Sequence, residues 1–140
     1  MKRVIKISAW LAIWLFIASV PAIFPGAVAA QTLNISIESE TGGSPPGELV
    51  VTDPSGERTG PYAPDIQLPN PMNGLYNLRV NGLKTGVYLL ILKAYSASGG
   101  SSDVRFPHMT IQDGGVHHYT INFSAQGPKL DVRRTRVTEE

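Results

Sequence analysis

Cysteine is absent from the 140-residue chain, so neither a disulfide bond nor a thiolate ligand contributes to its structure. Small domains in oxidising compartments often depend on disulfides, and a chain without them has to obtain its stability from packing. This absence favours a sandwich of sheets over a disulfide-rich miniprotein. Tryptophan is also scarce, and both copies, Trp10 and Trp14, precede residue 30. Tyrosine is therefore the main aromatic residue that the rest of the chain can offer to a ligand.

The sequence also lacks the usual motifs of an active site. It contains no G-x-S-x-G turn, and its carboxylates are scattered over predicted loops without a pair placed for acid–base catalysis. His117 and His118 are adjacent in a predicted strand, where neighbouring side chains point to opposite faces and cannot easily bind one ion. His108 and Asp113 would have to complete any such site. We therefore expect no enzyme, no metal and no cofactor.

The first thirty residues have the layout of a secretory signal peptide. Three basic residues among the first six precede an apolar run over residues 7–20, and small residues occupy positions 27–30. These small residues predict cleavage after Ala29 or Ala30. Because the apolar run approaches the length of a membrane-spanning helix, an uncleaved inner-membrane anchor is the alternative. We expect an extracytoplasmic protein, either periplasmic or secreted.

Residues 31–140 have the size of one domain and a slightly acidic charge balance. They contain nine basic and eleven acidic residues, which gives a net charge of −2. Nucleic-acid-binding domains are typically basic, so this balance argues against such a partner. Membrane contact is expected only through the leader segment, if it stays uncleaved.

Short runs of alternating apolar and polar residues dominate the sequence after residue 31, and this period of two is typical of half-buried strands. The clearest runs cover residues 33–37, 74–80, 86–95 and 116–123. Turn residues separate them, including a predicted tight hairpin at Asp113–Gly115 and a proline-rich edge strand or crossing loop over 61–72. The pattern predicts an all-β fold after an N-terminal signal helix. It would be a single antiparallel β-sandwich of about seven strands, immunoglobulin-like or jelly-roll, over residues 31–124. A flexible tail is expected over 125–140, with a short edge strand at Leu130 and Val132 as the alternative.

Two segments twelve residues apart, Gly74–Leu78 and Gly86–Leu90, share the pattern G-x-Y-x-L. This pattern resembles the paired strands of bacterial pre-peptidase C-terminal domains, which are jelly-roll or immunoglobulin-like sandwiches attached to secreted enzymes. The segment Val51–Gly60 is similar to a V-T-D-P-x-G-x-R-T-G turn motif of exported bacterial sandwich modules. The resemblance covers residues 50–123 at most. It implies a sandwich fold and an extracytoplasmic location, and it supplies no catalytic residues.

These observations together predict a non-enzymatic protein-interaction or structural accessory module. Its expected partner is an envelope or extracellular protein. A carbohydrate-binding module at the cell envelope is the alternative, because exposed aromatic side chains are the usual platform for sugars. Tyr62 and Tyr95 are the candidate ligand contacts, since the other tyrosines of the predicted strands face the core.

Overall fold

The computed structural model describes residues 31–126 and 129–138, so the expected signal segment and its cleavage site lie outside the described residues. Within these two ranges no helix has the length and apolar character needed to cross a membrane. The described chain forms nine strands: β1 Thr32–Ser39, β2 Gly47–Thr52, β3 Arg58–Tyr62, β4 Asp65–Pro69, β5 Gly74–Gly82, β6 Gly86–Tyr95, β7 Ser101–Ile111, β8 Val116–Ser124 and β9 Lys129–Thr138.

The strands form two antiparallel sheets. The four-stranded sheet has the order β4-β1-β6-β7, and the five-stranded sheet has the order β3-β2-β5-β8-β9. The expectation of an all-β fold built from two antiparallel sheets is confirmed. The expected number of strands is too low, because the proline-rich segment forms the edge strand β4 and the C-terminal segment forms β9.

The core lies between the two sheets and is formed by every second residue of their strands. On β1 the inward side chains are Leu33, Ile35 and Ile37, none of which has measurable exposure. On β5 the predicted inward set of Tyr76, Leu78 and Val80 is buried as well. The period-two pattern therefore assigned the faces of these strands correctly.

Residues 129–138 of the expected flexible tail form β9, so the alternative edge strand at Leu130 and Val132 is present and is longer than expected. This strand pairs with β8 along its full length, from Lys129 opposite Ser124 to Thr138 opposite Val116. A register shift opposite His118 and Tyr119 inserts one extra residue into β9. Because a bulge reverses the alternation of faces, the apolar positions of β9 lose their period of two beyond the shift. The sequence pattern of a single strand is hidden for that reason.

The predicted hairpin at Asp113–Gly115 is also wrong, because β7 and β8 belong to different sheets. Gly114 does adopt a positive φ of 79°, as a tight turn requires. The turn nevertheless crosses from one sheet to the other and packs against the β5–β6 connection. Gly82 donates its N–H to Gly115 at 2.7 Å, and Gly114 donates to Gly82 at 3.0 Å. A Cβ atom on Gly82 would overlap the carbonyl oxygen of Gln112, so close backbone approach requires glycine there.

Candidate functional site

The two candidate ligand contacts, Tyr62 and Tyr95, are exposed but lie on different sheets. Tyr62 is 59% exposed on the edge strand β3, opposite Leu49. Tyr95 is 40% exposed at the end of β6, opposite Thr32 and Ser101. The structure therefore does not bring these two rings together into one surface. A ligand contact at either tyrosine stays a prediction for that residue alone.

The three histidines have separate environments. His117 is buried in the core, whereas its neighbour His118 is half-buried on the outer face of the five-stranded sheet. His108 lies in the other sheet and its Nδ1 contacts the Glu40 carboxylate at 2.8 Å. Over residues 31–126 and 129–138, no three histidine or carboxylate side chains come together in an arrangement that could hold a metal ion.

A buried hydrogen-bonded network joins the two sheets. The Tyr88 hydroxyl on β6 lies 2.6 Å from Nδ1 of His117 and 2.8 Å from the Tyr119 hydroxyl, both of which are on β8. Burial raises the pKa of Tyr88 and of Tyr119 above the ordinary tyrosine value, so both hydroxyls stay protonated. No solvent reaches these groups, and we assign the network a structural role.

A cleft of about 400 Å³ opens between the edge strands β3 and β4. Its lining combines carboxylate, amide and hydroxyl groups with apolar surface: Val51, Asp53, Glu57, Thr59, Gln67, Leu68, Pro69, Asn70, Pro71, Met72 and Tyr76. Small-molecule sites commonly have this volume and this mixture of groups. The lining offers the carboxylate acceptors of Asp53 and Glu57 together with amide and hydroxyl groups that both donate and accept, which suit a ligand with several hydroxyl groups.

Asp53 accepts several hydrogen bonds within its own turn at this cleft. One of its carboxylate oxygens accepts hydrogen bonds from the Ser55 hydroxyl at 2.6 Å and from the backbone N–H groups of Ser55 and Glu57, each at 2.9 Å. The Ser55 hydroxyl, supported by these backbone donors, lowers the pKa of Asp53 below its usual value. The Tyr76 hydroxyl donates to the Met72 carbonyl at 2.8 Å, and burial followed by the Asp53 charge raises the pKa of Tyr76. The cleft therefore presents a fixed anion next to a neutral phenol.

The four edge strands of the sandwich differ in how their free backbone groups are protected. The strands β3, β4 and β7 contain Pro61, Pro69 and Pro107 respectively, and proline removes a donor from a sheet edge. In β7 a positive φ of 57° at His108 adds a further irregularity. The strand β9 has ten residues and no proline. Among the described residues it has no hydrogen-bonded neighbour on the side away from β8, and this side is called the β9 edge below.

The backbone groups that point to the β9 edge can be assigned by alternation. Thr135 donates its hydroxyl to the His118 carbonyl at 3.4 Å, so this carbonyl lies on the β9 side of β8. Every second residue of β8 then directs its backbone groups to β9, and Arg133 pairs with one of these residues. The N–H groups of its neighbours Val132 and Arg134 consequently point to the β9 edge.

Positive charge is concentrated on the same strand. Four cations and one carboxylate lie on β9, giving it a net charge of +3, while residues 31–140 together are net negative. The outer face of the five-stranded sheet continues this charge, because Arg136 pairs with His118 and His118 pairs with Arg79. Partial burial and the guanidinium groups of Arg79 and Arg136 lower the pKa of His118. The name cationic patch refers to Arg79, Arg133 and Arg136 on this outer face.

The sequence predicts part of β9 only as an alternative, a short edge strand at Leu130 and Val132. The alternation of these two residues with charged neighbours gives no signal for the rest of the strand. The concentration of four of the nine basic residues of 31–140 in ten positions is a separate signal.

Comparison of the chain with protein-family models, with curated proteins and with solved structures finds no match. The functional interpretation therefore depends on the geometry described above.

Proposed function

We propose that this chain is an exported, non-enzymatic module that binds another protein at the β9 edge. The observation that supports the proposal is the edge itself, which has ten residues without proline and, within residues 31–126 and 129–138, no hydrogen-bonded strand on one side. An extended segment of a partner can add to such an edge as a further strand, with main-chain hydrogen bonds supplying affinity. The partner on this proposal is an envelope or extracellular protein.

The cellular setting of the proposal comes from the sequence. The basic start, apolar run and small residues of 1–30 support export to the periplasm or beyond, with retention as an inner-membrane anchor as the alternative. The likeness of Gly74–Leu78 and Gly86–Leu90 to pre-peptidase C-terminal domains supports an accessory role beside another envelope protein. We propose an immunoglobulin-like or jelly-roll relationship on the same basis.

The test compares partner capture by two variants at one position. Arg134→Pro removes a backbone donor from the β9 edge, whereas Arg134→Ala removes the same side chain and keeps the donor. Both variants should retain the β-sheet circular dichroism of the wild-type full chain, because the β8–β9 pairing is untouched. Crosslinking in envelope fractions followed by mass spectrometry should map a partner to β9 in the wild type and in Arg134→Ala only. Equal capture by Arg134→Pro would contradict edge pairing.

A carbohydrate-binding function is the second candidate, and the cleft between β3 and β4 is the observation that favours it. Its acceptor groups suit the hydroxyl groups of a glycan, and the exposed Tyr62 on the neighbouring strand offers a stacking surface. Glycan-array screening followed by calorimetry tests this function. Binding that is lost in Gln67→Ala would place the glycan in the cleft, and loss in Tyr62→Ala would place it on β3. The absence of any glycan binding would remove this candidate.

A further inference from the structure

We infer that the segment that pairs with the β9 edge is acidic, an inference that depends on the proposed function. The charge of the strand is the first observation. The strand carries four cations, Lys129, Arg133, Arg134 and Arg136, and one carboxylate. This carboxylate, Asp131, forms an exposed ion pair with Arg133 at 3.2 Å. Opposite charges on directly paired strand residues stabilise a sheet, and like charges destabilise it. A strand of net charge +3 therefore selects a partner segment of negative charge.

The geometry of the sheet brings an added strand close to these charges. Neighbouring strands lie about 5 Å apart, so the outward side chains of an added strand would stand beside Arg133 and Arg136. Arg133 is opposite Thr120 and Arg136 is opposite His118, which places both guanidinium groups on the outer face. The cationic patch extends the positive charge across the outer face of the sheet from β9 to Arg79 on β5.

A second copy of the chain is disfavoured as the occupant of the β9 edge. Two copies of β9 would place one strand of charge +3 beside another, and like charges opposite each other cost free energy. Charged residues on an edge also guard against unwanted pairing, which is a recognised role of lysine and arginine at such positions. Two roles of these charges can be distinguished by measurement. Charges that only prevent unwanted pairing predict no preference, whereas charges that recognise a partner predict preferential binding of an acidic strand.

The experiment uses synthetic peptides of the same length as β9 and the full chain. One peptide alternates threonine with glutamate, a second alternates threonine with lysine, and a third is the glutamate peptide with every amide N-methylated, so that neither of its edges retains a donor. We expect the glutamate peptide to bind at least about tenfold more tightly than the lysine peptide, with affinity falling as salt rises. N-methylation should abolish this advantage, because it removes the donors that a paired strand needs.

Matched charge reversals locate the effect. The double variant Arg133→Glu with Arg136→Glu should weaken the glutamate peptide by about tenfold. The control is the double variant Lys84→Glu with Lys93→Glu, which changes the net charge by the same amount. Lys84 lies on the β5–β6 connection and Lys93 on β6, so the affinity of this variant for the glutamate peptide should match that of the wild type. Equal weakening by both variants would reduce the effect to overall charge and overturn the inference.

The remaining outcomes separate this inference from the proposed function. Preferential binding of polygalacturonate, or of vesicles that contain phosphatidylglycerol, with no binding of the glutamate peptide would identify an anionic surface ligand and refute an acidic strand. Partner capture that is lost in Arg134→Pro but unaffected by Arg133→Glu with Arg136→Glu would preserve edge pairing and refute acidic selection. Partner capture that is retained both in Arg134→Pro and in the double variant would refute edge pairing and acidic selection together.

Discussion

The buried network of Tyr88, His117 and Tyr119 gives the sharpest stability prediction, because its two hydroxyl groups form different numbers of hydrogen bonds. The Tyr88 hydroxyl contacts both other residues, whereas the Tyr119 hydroxyl contacts only Tyr88 within this network. All three residues are at most 1% exposed, so no solvent replaces a lost partner. Tyr88→Phe deletes two hydrogen bonds, and Tyr119→Phe deletes one.

The magnitudes follow from the number of buried groups affected. A buried hydrogen bond contributes about 1 kcal/mol net, and each partner left without it costs about 1–3 kcal/mol. We expect Tyr88→Phe to lower the free energy of unfolding by about 2–4 kcal/mol and Tyr119→Phe by about 1 kcal/mol. In the double variant only His117 loses its hydrogen bond to a tyrosine hydroxyl, so the combined loss should fall short of the sum by about 1 kcal/mol.

The assay is urea unfolding of the wild type and the three variants, followed by far-ultraviolet circular dichroism. The slope of the unfolding free energy against urea should be unchanged, because the ring of Tyr88 is kept and the buried area is the same. The reasoning would be refuted if Tyr88→Phe lowered the free energy of unfolding by less than about 0.5 kcal/mol. It would also be refuted if Tyr88→Phe cost no more stability than Tyr119→Phe. In that case the hydroxyls would not form the network described.

Three further predictions test the fold and the outer face. Gly82→Ala should destabilise the domain by about 3 kcal/mol or more in thermal unfolding, because its Cβ overlaps a backbone carbonyl; Gly114→Ala, which meets nothing within 4 Å, should cost about 1 kcal/mol from its positive φ. Leu78→Asp should abolish cooperative unfolding by burying an unpaired charge, whereas Leu75→Asp on the same strand should fold, since Leu75 is 52% exposed. The pKa of His118 is lower in the folded state than in the unfolded state, so the unfolded chain binds more protons as the pH falls. Stability should therefore decrease as the pH drops below the ordinary histidine value toward the folded pKa, and His118→Gln should reduce this decrease; an identical pH profile in that variant would contradict the assignment.

The interior of the sandwich could be predicted from the sequence because burial leaves a local signal. Leu33, Ile35 and Ile37 alternate with polar residues, and the same period assigns the buried faces of β5 and β8. The adjacent histidines were expected on opposite faces, and His117 is buried while His118 is half-buried. Each of these conclusions depends on a period of two within one strand, which needs no knowledge of the neighbouring strands.

Features that depend on several strands could not be predicted in this way. The turn chemistry of Asp113–Gly115 correctly indicates a tight turn, but it carries no information on whether the next strand stays in the same sheet. At Gly82 the sequence suggests conformational freedom, whereas the structure shows that close approach of another connection requires the glycine. The bulge in β9 depends on the register with β8, so the strand could not be recognised in full from its own alternation.

The candidate site shows the same division. Exposure of Tyr62 and Tyr95 was expected, but their placement on separate sheets is a property of the topology. Recognising the β9 edge required the strand order of the sheets, because only that order shows which strands lie at an edge. The sequence shows four basic residues in the C-terminal segment, but charge counting alone does not assign them to a sheet edge.

The way in which each edge is protected is the reason for proposing β9, and not another edge strand, as the binding edge. Proline removes a donor from β3, β4 and β7 permanently, and in β7 the Glu40 carboxylate also holds the backbone N–H of His108 at 3.1 Å. No partner can restore a missing donor or compete easily with an internal carboxylate. The strand β9 keeps its donors; it has the bulge at Thr135 and is otherwise guarded by charge, which is neutralised by any segment that carries the opposite sign. On the proposed function, an edge protected in this way would exclude copies of itself and accept an acidic partner, so that the same arginines would serve both purposes.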